Sequence, residues 1–233
     1  MLATQSLIGA STPLSNLDRP GDGQYTLDSY TKVLIHSDHA DGSTTMTDSS
    51  ASGHTVTSDN GAHHDTAKYK IGGSSFNLEG DNNIQIAHST DLDFDGEFTI
   101  DFWAYYDNLP ANLNGRFFQK GDNSGTGYGG FISSSHLIYF GRTDENLVGY
   151  TQNLTDSAWH HIAISRDGDD DIRLFIDGIL RGTNEIPTNM NNSGVLFLGQ
   201  YPGGTNDERY DGWMDEFRIS KGIARWTANF TVY

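Results

Sequence analysis

The chain has 233 residues, of which 35% are hydrophobic and 12% aromatic, enough to fill the core of one large β domain. Its formal net charge of −17 argues against nucleic acid and anionic membrane surfaces as partners, since both need basic patches. The absence of cysteine excludes disulfides, thiolate catalysis and cysteine-based zinc sites.

In chain order, residues 1–29 read as an irregular arm, with Pro13, Pro20, Gly21 and Gly23 interrupting every candidate element. The arm is either disordered or ordered by a neighbouring subunit, to which Leu7, Ile8, Leu14 and Leu17 could dock. Its opening stretch has no basic region and only a broken apolar run, so it makes a poor secretory signal. No segment approaches the roughly 18 apolar residues of a membrane span. The expectation is a soluble protein in a virion or outside the cell, reaching it without a Sec signal of its own.

The domain is predicted to occupy residues 30–233. Thr31 to Ser37 is a short β-branched run and reads as a strand. Asp38 to Asp65 reads as a long polar loop with a brief strand at His54 to Thr57. Lys68 to Ile71, Ser75 to Leu78 and Asn83 to Ile86 are further short strand candidates, with Gly72-Gly73 and Gly80-Asp81-Asn82 as turns. Phe98 to Tyr106 alternates: Phe98, Ile100, Phe102 and Ala104 on one face, Thr99, Asp101, Trp103 and Tyr105 on the other. Large apolar groups on both sides mark a central strand covered in part on each face.

Phe117 to Lys120, Tyr128 to Ser133, Leu137 to Phe140 and Leu147 to Gln152 continue the series. Trp159 to Leu180 then supplies two alternating runs joined by Asp167-Gly168-Asp169-Asp170-Asp171, with Asp177-Gly178 making the next turn; this is an antiparallel hairpin signal. Val195 to Gly199 and Trp213 to Ile219 complete the strands, and only Lys221 to Trp226 could make a helical turn. Short strands at this spacing, with 27 Gly against 5 Pro, indicate an all-β sandwich or barrel.

Several stretches resemble the laminin-G-like, concanavalin A-like jelly-roll superfamily of phage and bacterial surface proteins. They are FTIDFWAYY (98–106), WHHIAISRDG (159–168), LFIDG (174–178), VLFLGQ (195–200) and GWMDEFRISKGIARW (212–226), with similar stretches at 30–54 and 72–86. The resemblance covers roughly residues 30–230. It implies a two-sheet antiparallel jelly-roll sandwich with a shallow concave face, and it is weak for ligand because such folds host many functions.

Alternation in GWMDEFRIS puts Asp215 on one face with Trp213, Phe217 and Ile219. A buried carboxylate there needs a partner: a calcium ion, a ring of backbone N–H groups, or an arginine. The resemblance tips the expectation towards Ca²⁺, held by Asp215 with Asp38 as second ligand. The run Asp167 to Asp171 lacks the ligand order of an EF-hand and reads as a solvated turn. His63-His64 and His160-His161 are adjacent pairs that point to opposite strand faces, so neither chelates one ion easily.

Sandwich glycosidases place carboxylates two apart along one strand, and no such set occurs here. GxSxG and phosphate-binding glycine loops are absent too. The chain therefore reads as non-enzymatic. Jelly-roll sugar sites combine aromatic platforms with amides and carboxylates, which singles out Tyr201, Asn206, Asp207, Tyr210 and Tyr128 as ligand-binding candidates. The alternative for the tyrosines is rim packing.

The reading is a structural or adhesion module such as a phage decoration, fibre or tail component. Its expected partners are a glycan or host-surface receptor, other virion or surface subunits through the arm, and further copies of itself. Two alternatives remain: a secreted glycan-active enzyme with an unrecognised carboxylate pair, and a structural subunit with no ligand.

Overall fold

A computed structural model describes residues 27–106, 115–121, 127–142, 145–154, 157–186, 189–200 and 209–232. Among them the chain forms fifteen strands. They are β1 (Thr31–Ile35), β2 (Val56–Asp59), β3 (His63–Asp65), β4 (Ser75–Asn77), β5 (Asn83–Ile86), β6 (Phe98–Tyr106), β7 (Gly115–Lys120) and β8 (Tyr128–Ile132). β9 (Leu137–Arg142), β10 (Glu145–Thr151), β11 (Trp159–Arg166), β12 (Asp171–Ile176), β13 (Ile179–Glu185), β14 (Leu196–Leu198) and β15 (Gly212–Lys221) follow. A 3₁₀ turn at Thr90–Leu92 is capped by Ser89.

The strands make two antiparallel sheets. Sheet A has the order β13-β12-β11-β6-β15-β4-β3, with β1 also paired to β15; sheet B has the order β10-β9-β8-β7-β14-β5-β2. Together they form the jelly-roll sandwich expected. One core lies between them, built from the alternate apolar residues that period-2 geometry turns inward. Sheet A contributes Phe98, Ile100, Phe102, Ile162, Ile164, Leu174 and Phe217; sheet B contributes Ile84, Leu198, Phe118, Tyr128 and Phe140.

The hairpin turns follow the sequence closely. Asp170, Asp177 and Gly178 adopt positive φ (66°, 53° and 74°), as tight turns between right-twisted strands require. Asp167 accepts from Asp169 N–H (3.1 Å) and Arg173 Nη1 (2.6 Å), so the acidic run is a braced turn.

Three local expectations fail. Lys68 to Ile71 is not a strand; it crosses the outer face of sheet A. His63–Asp65, placed in a loop by its polarity, is edge strand β3 paired to β4. Lys221 to Trp226 makes no helical turn; its hydrogen bonds go to the sheet, as in Arg225 N–H to Thr99 Oγ1 (2.9 Å). Asp28, assigned to the arm, is tied to the domain by Arg225 Nη2 (3.0 Å) and Thr31 N–H (2.9 Å).

Candidate functional site

The last strand does not keep the simple alternation of GWMDEFRIS. Asp215 pairs with Trp103 and Arg218 with Asp101, so Glu216 and Phe217 together oppose Phe102. This is a β-bulge, and Glu216 takes a left-handed backbone (φ 54°) to make it. The extra residue reverses the phase of the strand. Met214, Phe217 and Ile219 enter the core. Trp213, Asp215 and Arg218 therefore lie on the outer face, with Trp103 and Asp101 of β6. The expectation that Asp215 shares the face of Phe217 and Ile219 is corrected by this bulge. Glu216 is buried, its Oε2 2.6 Å from His36 Nδ1.

The outer face of sheet A is closed by two straps. The first is Lys68 to Ile71. Its Lys70 and Ile71 N–H groups donate to Asp215 Oδ2 at 3.0 and 2.9 Å, and Ile71 packs on Leu34 and Trp103. Lys68 Nζ stands 3.6 Å above the Trp213 ring and Lys70 Nζ 4.1 Å above Trp103.

The second strap is the C-terminal segment. Phe230 N–H donates to the Gly178 carbonyl (2.9 Å), and Leu180 N–H to Asn229 Oδ1 (2.8 Å). A Cβ on Gly178 would run into the Phe230 carbonyl, so glycine there permits the close approach. Trp226 and Phe230 stack at 4.0 Å, and both rings sit edge-on to His161 at 5.8 Å.

Beneath this second strap lies a charge cluster. Arg218 Nε and Nη2 donate to Asp101 Oδ1 and Oδ2 at 2.9 and 3.0 Å, and His161 Nε2 is 3.4 Å from Asp101 Oδ2. All three side chains have 0% exposure. Burial alone would raise the Asp101 pKa, but Arg218 and His161 outweigh it and hold the carboxyl below its ordinary value. With all three groups buried, their geometry ties β6, β11 and β15 together.

The candidates from the sequence separate accordingly. Asp215 has 0% exposure and accepts two amide N–H bonds, the second of the three solutions a buried carboxylate can adopt. Asp38 is exposed just beyond β1. Among the described residues no group of three or more His, Cys, Asp or Glu could hold a metal ion. The two N–H donors directed at Asp215 Oδ2 already meet the need for a partner that suggested calcium.

Tyr128 and Tyr210 are core residues, 1% and 0% exposed, rather than a platform open to a sugar. The Tyr128 hydroxyl donates to the Leu92 carbonyl (2.9 Å) and that of Tyr210 to the Tyr105 carbonyl (3.2 Å). Tyr201, Asn206 and Asp207 lie outside the described residues. The paired histidines diverge as expected. His160 Nδ1 bonds Asp177 Oδ2 (2.8 Å), while His161 joins the Asp101 cluster.

The outer face of sheet B is built differently. Since Tyr128, Ile132, Ile138 and Phe140 enter the core, Gly129, Phe131, Tyr139 and Gly141 face out. Register places Arg116 beside Phe131, Gln119 beside Gly129, Phe197 beside Gln119 and Gln85 beside Phe197. Phe131 and Tyr139 stack with centroids 4.8 Å apart at 19°. The Arg116 guanidinium carbon lies 5.1 Å from the Phe131 centroid. A Cβ on Gly129 would sit 2.6 Å from Phe131 Cζ, so glycine lets that ring lie across the strand. Tyr139 and Phe197 are half-buried, while Phe131 and Arg116 are 4% and 6% exposed.

The inner strands β5, β7, β8, β9 and β14 contain no Asp or Glu. The result is a row of rings, amides and one guanidinium on a sheet whose middle is free of carboxylates. None of these residues belongs to a motif that stands out in the sequence, although the alternation in YGGFI and LIYFGR carries the signal.

The family model described as concanavalin A-like lectin/glucanases superfamily matches residues 78–225. No curated protein matches the sequence. Among solved structures, the binding domain of Paraclostridial Mosquitocidal Protein 1 aligns with TM-score 0.63 at 14% identity, covering 82% of this chain and 48% of that one. The binding domain of botulinum neurotoxin DC, in complex with SialylT, aligns with TM-score 0.61 at 15% identity over 82% and 48%. The receptor binding domain of botulinum neurotoxin type G aligns with TM-score 0.62 at 16% identity over 87% and 49%. At these identities the likeness is one of fold, and this chain spans about half the length of each of them.

Proposed function

This chain belongs to the concanavalin A-like lectin/glucanases superfamily, and on that basis we propose that it is a non-enzymatic binding module that takes a glycan on the outer face of sheet B. The observation that carries the proposal is the row formed by Tyr139, Phe131, Arg116, Gln119, Phe197 and Gln85. A pyranose has an apolar face that stacks on aromatic rings and a polar rim that amides and guanidinium can satisfy. Tyr139 and Phe197, half-buried, offer the rings. The fold neighbours support the same direction, since they are binding domains, one in complex with SialylT and another with rat synaptotagmin II.

Binding is favoured over hydrolysis because retaining and inverting glycosidases need two carboxyl groups about 5–9.5 Å apart, and the inner strands of sheet B carry none. In the finer form of the proposal the module is a structural or adhesion subunit of a virion or extracellular structure, such as a phage decoration, fibre or tail component. Residues 1–26 would then attach it, and self-association and a host-surface receptor are its further partners. The acidic composition and the resemblance to surface-protein jelly rolls support that reading.

The test is a saccharide array followed by calorimetry, run beside a reducing-sugar assay on mixed polysaccharides. Saccharide bound by the parent chain and weakened about tenfold or more by Tyr139→Ala is the expected result. An array without a single ligand, or sugar release by the chain, overturns the proposal. Removing residues 1–26 is expected to leave saccharide binding and the melting temperature unchanged while abolishing incorporation into a particle.

A further inference from the structure

Lys120, the last residue of β7, is the one buried lysine among the described residues, its side chain 0% exposed. Lysine is seldom fully buried unless it is paired, and this one has three partners. Its Nζ stands 3.2 Å from Asp93 Oδ1 and 3.2 Å from His88 Nδ1, and it donates to the Asn192 carbonyl. Burial pushes the Lys120 ammonium below its ordinary pKa, against the opposing pull of Asp93. That shift favours the neutral amine, the form in which lysine is a nucleophile.

The surroundings hold the amine and the carboxyl in place. Phe94 and Met190 form an isolated antiparallel bridge, which brings Asp93 beside Asn192. A Cβ on Gly121 would run into the Asn192 side chain, so glycine directly after Lys120 permits the close approach. Asn192 then meets the pair twice through its backbone. Its carbonyl accepts from Lys120 Nζ, and its N–H donates to Asp93 Oδ1 at 3.3 Å. One acceptor at the nitrogen and one donor at the oxygen are the two partners that an amide requires. His88 Nδ1 faces an ammonium that has only donors, so it is an acceptor placed to take a proton.

We infer that Lys120 and Asp93 join in an amide cross-link that the chain forms by itself after folding. His88 Nδ1 takes one proton from the ammonium. The Nζ lone pair then forms a bond to Asp93 Cγ, while Asn192 N–H faces Oδ1, where charge develops. The Cγ–Oδ2 bond breaks, and Oδ2 leaves as water with the two protons that Nζ gives up, one of them returned by His88. One ammonium and one carboxylate become one neutral amide and one water, with no oxidant, reductant or further reactant. Condensation is unfavourable between free groups in water, but groups fixed side by side reach effective molarities of about 10⁵–10⁸ M. The bond closes a loop from Asp93 to Lys120 in a chain that has no cysteine for a disulfide. It is independent of ligand binding on sheet B.

The test is the mass of the intact, denatured full chain, followed by a tryptic map. The parent chain is expected to be lighter than its sequence by one water, with residues 71–116 joined to residues 117–142 in one branched peptide. Lys120→Arg, which keeps the charge but supplies no amine, is expected to restore the full mass. His88→Gln is expected to slow the joining about a hundredfold, read as unjoined chain in freshly folded protein. Joining at the parent rate in that variant overturns the role given to His88. A parent chain at its full sequence mass overturns the cross-link itself. So does a lost water with the two peptides separate, the signature of a cyclised Asp-Gly, or a joined peptide that persists in Lys120→Arg.

Discussion

The two outer faces of the sandwich use their polar residues in opposite ways. On sheet A the charges are buried and paired: Asp101 with Arg218 and His161, Asp215 with the amides of Lys70 and Ile71, Glu216 with His36. Two straps cover them. On sheet B the row of Arg116, Gln119, Phe131, Tyr139 and Phe197 follows strand alternation with no carboxylate among its inner strands. Asp215 and His161, both singled out by the sequence, thus belong to the closed, structural face. Candidate ligand contacts fall where the sequence is chemically quiet.

Breaking the closed face should have the largest effect. Asp101→Ala leaves Arg218 buried without its carboxylate, which should cost about 3–5 kcal/mol in urea unfolding. At roughly 2–4 °C per kcal/mol for a chain of this size, the melting temperature should fall by about 6–20 °C. A loss below about 1 kcal/mol would show that the cluster is not desolvated in solution. The same carboxyl makes a pH prediction. Because its folded pKa is depressed, its stabilising contribution is present above the unfolded value near 3.9 and is lost as pH falls through the folded value. His64, lowered chiefly by burial, adds a loss that begins nearer pH 6.5, because the unfolded chain binds that proton more readily than the folded one. Stability measured from pH 8 to 3 should therefore decline in two stages, and His64→Gln should flatten the upper one.

Trp226→Ala tests the second strap. Losing a ring that stacks on Phe230 and covers His161 should cost about 2–4 kcal/mol, and hydrogen exchange should accelerate at β11 and β12 but not at β8 and β9. Uniform acceleration across both sheets would deny the strap its local role. Asp215→Ala, which removes the acceptor of two amide bonds, should cost about 1–3 kcal/mol. The smallest effect belongs to calcium: excess Ca²⁺ and EDTA should give the same melting temperature. A rise in calcium that Asp215→Ala abolishes would reopen the metal reading.

Much of the fold was legible because strands write their geometry locally. Phe98 to Tyr106 alternates over nine residues and lies at the centre of sheet A with the faces assigned from the sequence. Asp177-Gly178 and Asp170 turn where the sequence says they turn. The short elements were less legible. His63–Asp65 is three polar residues whose strand character comes from pairing with β4, and Lys68 to Ile71 has strand-like composition but finds its hydrogen bonds at Asp215. Tyr128 and Tyr210 looked like rim aromatics because tyrosine serves core and surface alike. What buries them is core packing with a backbone carbonyl in reach of each hydroxyl.

The sequence by itself determined an all-β sandwich: period-2 alternation, Asp-Gly turns and a suitable supply of apolar residues are local properties. It also excluded cysteine chemistry outright. The tertiary structure alone decided which face each polar group took. One inserted residue, Glu216, reverses the phase of β15, and a carboxylate that alternation would send into the core lies instead under a strap. A bulge depends on partners distant in the chain, here Phe102 opposite and His36 on the Glu216 carboxylate. A phase read along one strand cannot contain that information.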